Sequence, residues 1–105
     1  VEGSVIISYQ AQEVFAVMAP EGERRFQVFI QQDESFLTNE NKGDHIVLDE
    51  EGRSYILVES PKLFSIVKNV EHGSHILRLR TRSSGFALYS LSFASGVASE
   101  FVSLS

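Results

Sequence analysis

Between Ser60 and Ala94 the chain lays down apolar runs in quick succession: Lys62-Leu63-Phe64-Ser65-Ile66-Val67, then His75-Ile76-Leu77-Arg78-Leu79, then Gly85-Phe86-Ala87-Leu88-Tyr89-Ser90-Leu91-Ser92-Phe93. Each run is short, rich in β-branched or aromatic residues, and bounded by polar or glycine-containing breaks, which is the pattern of strands rather than helices. The spacing predicts three consecutive strands, Lys62–Val70, Ser74–Arg82 and Phe86–Ala94, with turns at Glu71-His72-Gly73 and Ser83-Ser84-Gly85. Pro61 has no N–H to give a ladder and belongs before or at the edge of the first.

The earlier residues follow the same rule. Val5, Ile7, Tyr9 and Ala11 alternate against Ser8 and Gln10, the period of a half-buried strand. Glu13 to Met18 reads as a strand continuing or bending from it across Gln12. Pro20-Glu21-Gly22-Glu23 supplies a turn, and Arg25 to Gln32 sets Phe26, Val28 and Ile30 against Gln27, Phe29 and Gln31, so the two runs read as an antiparallel hairpin. After the loop Thr38–Asp44, His45–Leu48 and Arg53–Glu59 form a second hairpin around Asp49-Glu50-Glu51-Gly52. Ala98–Ser105 suits either an edge strand or a frayed tail. The expected fold is all-β: a two-sheet antiparallel β-sandwich of jelly-roll or Greek-key type, one domain over residues 1–105 with a core at 4–94 and a tail at 95–105.

Charge and composition narrow the function. Nine Lys and Arg against fourteen Asp and Glu give a net charge of −5, which repels a phosphate backbone, so no nucleic-acid partner is expected. With no cysteine there is no disulfide, thiol nucleophile or thiolate metal site. No apolar run approaches the roughly 20 residues of a membrane span, so direct membrane insertion is not expected. Val1-Glu2-Gly3-Ser4 lacks the basic and apolar regions of a signal peptide, and the sequence reads as a fragment of a longer protein.

No residue set for catalysis is visible. His45, His72 and His75 lack metal-ligand spacing, and Asp49-Glu50-Glu51-Gly52 lacks the alternating oxygen donors of a calcium loop. No serine sits in a Gly-x-Ser-x-Gly elbow, and nothing brings Glu34, Glu40 and Glu50 into convergence as a glycosidase pair. Neither a catalytic residue, a metal nor a cofactor is assigned, and the chain reads as noncatalytic. The residues singled out for binding are Arg78, Arg80 and Arg82. With Leu77 and Leu79 facing the core, alternation places these guanidinium groups together on the outer face, where planar forks suit sugar hydroxyls, carboxylates or an acidic patch. The competing reading is a solvated face paired with the abundant glutamates. Tyr55 joins them as an aromatic whose strand carries apolar groups on both faces.

Taken in order, Ile6-Ile7-Ser8-Tyr9-Gln10-Ala11-Gln12-Glu13-Val14-Phe15, Val28-Phe29-Ile30-Gln31-Gln32-Asp33, Lys42-Gly43-Asp44, Ser60-Pro61-Lys62-Leu63-Phe64-Ser65-Ile66-Val67, His75-Ile76-Leu77-Arg78-Leu79 and Gly85 to Phe93 resemble the C-terminal β-sandwich of DipZ-type thioredoxin-like proteins. A similar module ends chains that join a thioredoxin-like domain to NHL repeats. The family tends to carry Tyr where Phe64 stands and an aromatic where Leu91 stands, and this chain continues past Ala94. The resemblance implies a carbohydrate-binding-module-like accessory domain whose redox cysteines lie in a preceding thioredoxin-like domain. Its implied partners are that neighbouring domain together with a glycan or a protein. It implies an extracytoplasmic site for DipZ-type proteins, whereas the NHL-linked relatives leave the cytoplasm open. Two roles follow from it: binding carbohydrate or positioning the redox domain, or a structural docking module with no free ligand.

Overall fold

Two strands of unusual length organise the molecule. The computed structural model describes residues 3–20, 25–81, 86–94 and 101–104, which hold eight strands: β1 (Gly3–Pro20), β2 (Phe26–Gln32), β3 (Ser35–Phe36), β4 (Val47–Leu48), β5 (Ser54–Val58), β6 (Lys62–Thr81), β7 (Phe86–Ala94) and β8 (Phe101–Leu104). They form one antiparallel hydrogen-bonded network in the order β4-β5-β2-β6-β1-β7-β8, with β3 paired to β2. The fold is all-β, as expected from the alternation.

β1 and β6 pair along nearly their whole length, with a one-residue slip between Val14 and Phe15 and a larger break at Gln12. Ala11 faces Gly73 and Glu13 faces Lys68, so Gln12 alone stands opposite Asn69, Val70, Glu71 and His72. An irregularity of this kind bends both strands and lets them pass from one layer to the other. Gln12 holds the corner by donating from Nε2 to the Val70 carbonyl at 3.2 Å. One layer then contains the first half of β1, the second half of β6, β2, β5 and β4. The other contains the remaining halves with β7 and β8.

Two expectations are corrected here. The expected strands Lys62–Val70 and Ser74–Arg82 merge, as far as the described residues run, into the single strand Lys62–Thr81, because Glu71-His72-Gly73 makes a bulge beside the bend of β1 instead of reversing the chain. The Glu13–Met18 run does not pair with Arg25–Gln32: it pairs with β6 and β7, while β2 pairs with β3, β5 and β6. A local turn signal at Pro20 can reverse the chain but does not choose its ladder partner. The run of the first strand past Gln12, of the two alternatives the bent one, the β4–β5 hairpin and the inward set Phe26, Val28 and Ile30 stand as expected. Phe101–Leu104 pairs with β7 as an edge strand.

The core lies between the layers. Val14, Ala16, Met18, Phe64 and Ile66 from one side meet Val28, Ile30, Ile56, Val58, Leu77 and Leu79 from the other in one hydrophobic cluster. Burial of aliphatic groups on this scale is the main force holding the layers together. The exposed side of β6 in the second layer is closed by the loop before β4. Gly43 N–H donates to the Ile66 carbonyl at 2.8 Å, Lys68 N–H to the Asn41 carbonyl at 2.9 Å, and His45 N–H to the Ser65 carbonyl at 3.2 Å. In return, Ser65 N–H donates to His45 Nδ1 at 2.8 Å.

Candidate functional site

Strand pairing brings the sequence candidates into one surface. On the outer face of the first layer, Ser4, Arg80, Phe29, Tyr55 and Val47 form a row across β1, β6, β2, β5 and β4. The next row holds Ile6, Arg78, Gln31 and Phe36. Residues opposite one another in a ladder project to the same side at neighbouring strand spacing, so these side chains share a continuous face. The Phe29 and Tyr55 rings lie 5.8 Å apart, and the Arg53 guanidinium sits over Phe29 at 5.5 Å from its centroid. Arg78 and Arg80 are exposed, and among the described residues neither makes an ion pair. Arg82 lies outside the described residues.

Beside the arginines is a shallow depression of about 690 Å³ lined by Gln31, Asp33, Glu34, Ile76, Arg78 and Arg80. Its rim is the tight turn from β2 to β3, where Asp33 and Glu34 both take left-handed conformations (φ 52° and 69°) that Asp tolerates better than most residues. The turn is tied to β6 through Asp33. Its Oδ1 accepts from Ile76 N–H at 2.9 Å, its Oδ2 lies 2.6 Å from His75 Nδ1, and its own N–H donates to the Ile76 carbonyl at 2.8 Å.

Behind this rim is a buried polar ring. Tyr9 Oη donates to Gln32 Oε1, Gln32 Nε2 donates to Asn69 Oδ1 at 2.7 Å, and Asn69 Nδ2 donates to Tyr9 Oη at 2.9 Å. Every donor points the same way round, so each group is satisfied. Burial pushes the Tyr9 phenol up to about 12, against a smaller opposing effect of the Asn69 hydrogen bond. The Tyr9 ring also stacks on Phe93, with centroids 5.4 Å apart.

The sequence profile of one protein family, described as a thioredoxin-like C-terminal domain, matches residues 1–94. The chain belongs to that family. No curated protein and no solved structure matches it. The family makes this chain an accessory C-terminal domain of the thioredoxin-like kind, which agrees with the thioredoxin-like C-terminal part of the resemblance carried by its motifs.

Within this thioredoxin-like C-terminal domain, the geometry adds residues that sequence reading did not select. Phe29 and Gln31 enter the face because β2 is the neighbour of β6, which alternation alone does not disclose. Asp33 and His75 pair across distant parts of the chain. Among the described residues no group of His, Asp and Glu is arranged to hold a metal ion. His45 is occupied in the loop, its ring edge-on to Phe64 at 5.4 Å.

The Asp33 tie has a pH consequence. The His75 hydrogen bond, with a further contribution from Ile76 N–H, holds the Asp33 carboxyl below the usual carboxylate range despite partial burial acting the other way. A carboxyl lowered in the folded state contributes stability above its unfolded value near 3.8, and that contribution is lost as pH falls through the folded value. The stability advantage of the native domain over Asp33→Asn is therefore expected to shrink as pH falls below about 4. Thermal melts of both proteins from about pH 5 downward check it, and an advantage undiminished at about pH 2 contradicts the tie.

Proposed function

We propose that this domain is a noncatalytic module that binds carbohydrate on its outer face and thereby positions a thioredoxin-like neighbour. The reading is supported by one observation: two guanidinium groups that make no ion pair among the described residues stand in cross-strand rows with Phe29, Tyr55 and Gln31. A pyranose has one apolar face and an equatorial ring of hydroxyls. An aromatic platform flanked by planar donors suits both parts, with Gln31 and Asp33 able to accept from hydroxyls at the same rim. A tethered module of this kind acts by raising the effective concentration of its attached partner at the target.

The test begins with a glycan array and continues by titrating the best-bound sugar. Arg78→Ala combined with Arg80→Ala is expected to weaken binding by at least about tenfold, the loss of one or two charge-assisted hydrogen bonds. Both side chains are exposed, so the melting temperature should stay within about 2 °C of the parent. Undiminished sugar affinity in the double variant removes this face from the proposal.

A second reading is a docking module that packs against the neighbouring domain of its own chain. It is favoured by Ile6 and Ile76, 59% and 53% exposed, which lie diagonally on adjacent strands of the same face. Hydrogen exchange distinguishes the two: docking protects this face in a longer chain carrying the thioredoxin-like domain, without added sugar.

A further inference from the structure

The two layers treat their exposed edges differently. In the second layer the loop Asn41–His45 covers the side of β6 that faces away from β1. In the first layer β6 pairs with Gly3–Ala11 of β1 on one side, whereas β7 pairs only with Glu13–Pro20. On the remaining side of Gly3–Ala11, no described residue completes the ladder. This open edge is nine residues long, carries no charge and no proline, and is rich in β-branched side chains. Natural sheets usually blunt such edges, because unsatisfied N–H and C=O groups recruit another strand.

The residues along the edge fit themselves. Around Ile6 the sequence is a near-palindrome, Ser4-Val5-Ile6-Ile7-Ser8, with Gly3 and Tyr9 beyond it. We propose that this edge pairs antiparallel with the same edge of a second copy of the chain, about a two-fold axis through Ile6. In that register Ser4 stands opposite Ser8 of the second copy, Val5 opposite Ile7, and Ile6 opposite itself. Serine hydroxyls meet on the outer face, where Ile6 is 59% exposed. Val5 and Ile7, packed against the core yet only half-buried, lose their remaining exposure on the inner face. No like charges are opposed anywhere in the seven-residue match, so the pairing meets none of the repulsion that normally protects an edge. A two-fold, self-complementary contact closes at the dimer and does not propagate along this edge. It would also make the outer faces of both copies one continuous sheet.

Because the chain has no cysteine, a single thiol reports the register. Ile6→Cys places one at the axis, where directly opposed residues lie about 4.5 to 5.5 Å apart between Cα atoms, within disulfide range. Ile76→Cys is a control of similar exposure on the next strand inward, separated from its counterpart by at least about 14 Å, three strand spacings. Mild oxidation is expected to yield covalent dimer from Ile6→Cys and little from Ile76→Cys. In sedimentation velocity the native chain is expected to shift from monomer to dimer over roughly a hundredfold rise in concentration, with a melting temperature that rises in parallel. Ile6→Lys and Ile6→Glu, each kept folded by the exposure of the site, should be monomeric alone and associate when mixed. A native chain monomeric throughout, equal cross-linking of both thiol variants, or a dimer indifferent to Ile6→Lys overturns the proposal.

Discussion

Gly43→Ala is expected to cost more than about 4 kcal/mol, a loss large enough to leave little folded protein. A Cβ at residue 43 would lie within 2.5 Å of the Ile66 carbonyl carbon and closer still to the Ser65 carbonyl. These are backbone atoms of β6, hydrogen-bonded in its ladder with β1, and cannot rotate aside. To admit one methyl group, the loop must lift from the strand and surrender the Gly43-to-Ile66 and His45-to-Ser65 hydrogen bonds. The Lys68 N–H to Asn41 contact and the Asp44–Lys68 ion pair would weaken with them. The opened edge exposes Phe64, Ile66 and Val67, all buried in the native domain. Gly52 gives the matched comparison. It has φ +81° but open space where a Cβ would go, so Gly52→Ala is expected to cost only about 1 kcal/mol, through backbone strain. Urea titration of both variants checks the pair: a loss at Gly43 no larger than at Gly52 would mean that the loop yields without disturbing β6.

The same glycine shows how far the sequence alone could be read. Lys42-Gly43-Asp44 stands out as a motif by family resemblance, yet nothing in its neighbours says that it docks on Ser65 and Ile66, more than twenty residues later. Period-two alternation was legible because it depends only on adjacent residues, and it placed Val28, Ile30, Leu77 and Leu79 inward and Arg78 and Arg80 outward correctly. That the first strand runs on past Gln12 was legible for the same reason, but the choice between a straight and a bent course was not. Ladder partners were not. Glycine, histidine and acidic residues at 71–73 are equally good at making a turn and a bulge, and the choice is made by β1, which bends at Gln12 and carries the pairing past the irregularity. For the candidate site, Arg78, Arg80 and Tyr55 were found one strand at a time, whereas Phe29 and Gln31 became part of it only when β2 was seen to separate β5 from β6. The Asp33–His75 contact spans 42 positions and has no local signature.

Asn69→Leu is expected to destabilise the domain by about 2 to 4 kcal/mol, because the leucine removes the acceptor of Gln32 Nε2 and the donor to Tyr9 Oη in a buried site. Asn69 occupies the bulge at the corner, Tyr9 the bent strand opposite, and Gln32 the end of β2, so the ring joins the three elements on which the bend depends. Its circular order makes the members interdependent: a missing link strands an amide that water cannot reach. Replacing all three by apolar groups, with Tyr9→Phe, Gln32→Leu and Asn69→Leu together, removes the unpaired groups and is expected to recover most of the loss. The Tyr9 phenol adds an independent readout. Since its folded value is raised to about 12 from 10.0, the proton it retains contributes stability that is fully present below pH 10 and is lost as pH rises toward 12. Tyr9→Phe should flatten that alkaline limb of the melting curve while leaving the acid limb set by Asp33 unchanged. If Asn69→Leu costs under about 0.5 kcal/mol and the alkaline limb is the same with and without the phenol, the corner is held by the apolar contacts around Phe93 and Ala11 and the polar ring is incidental to the bend.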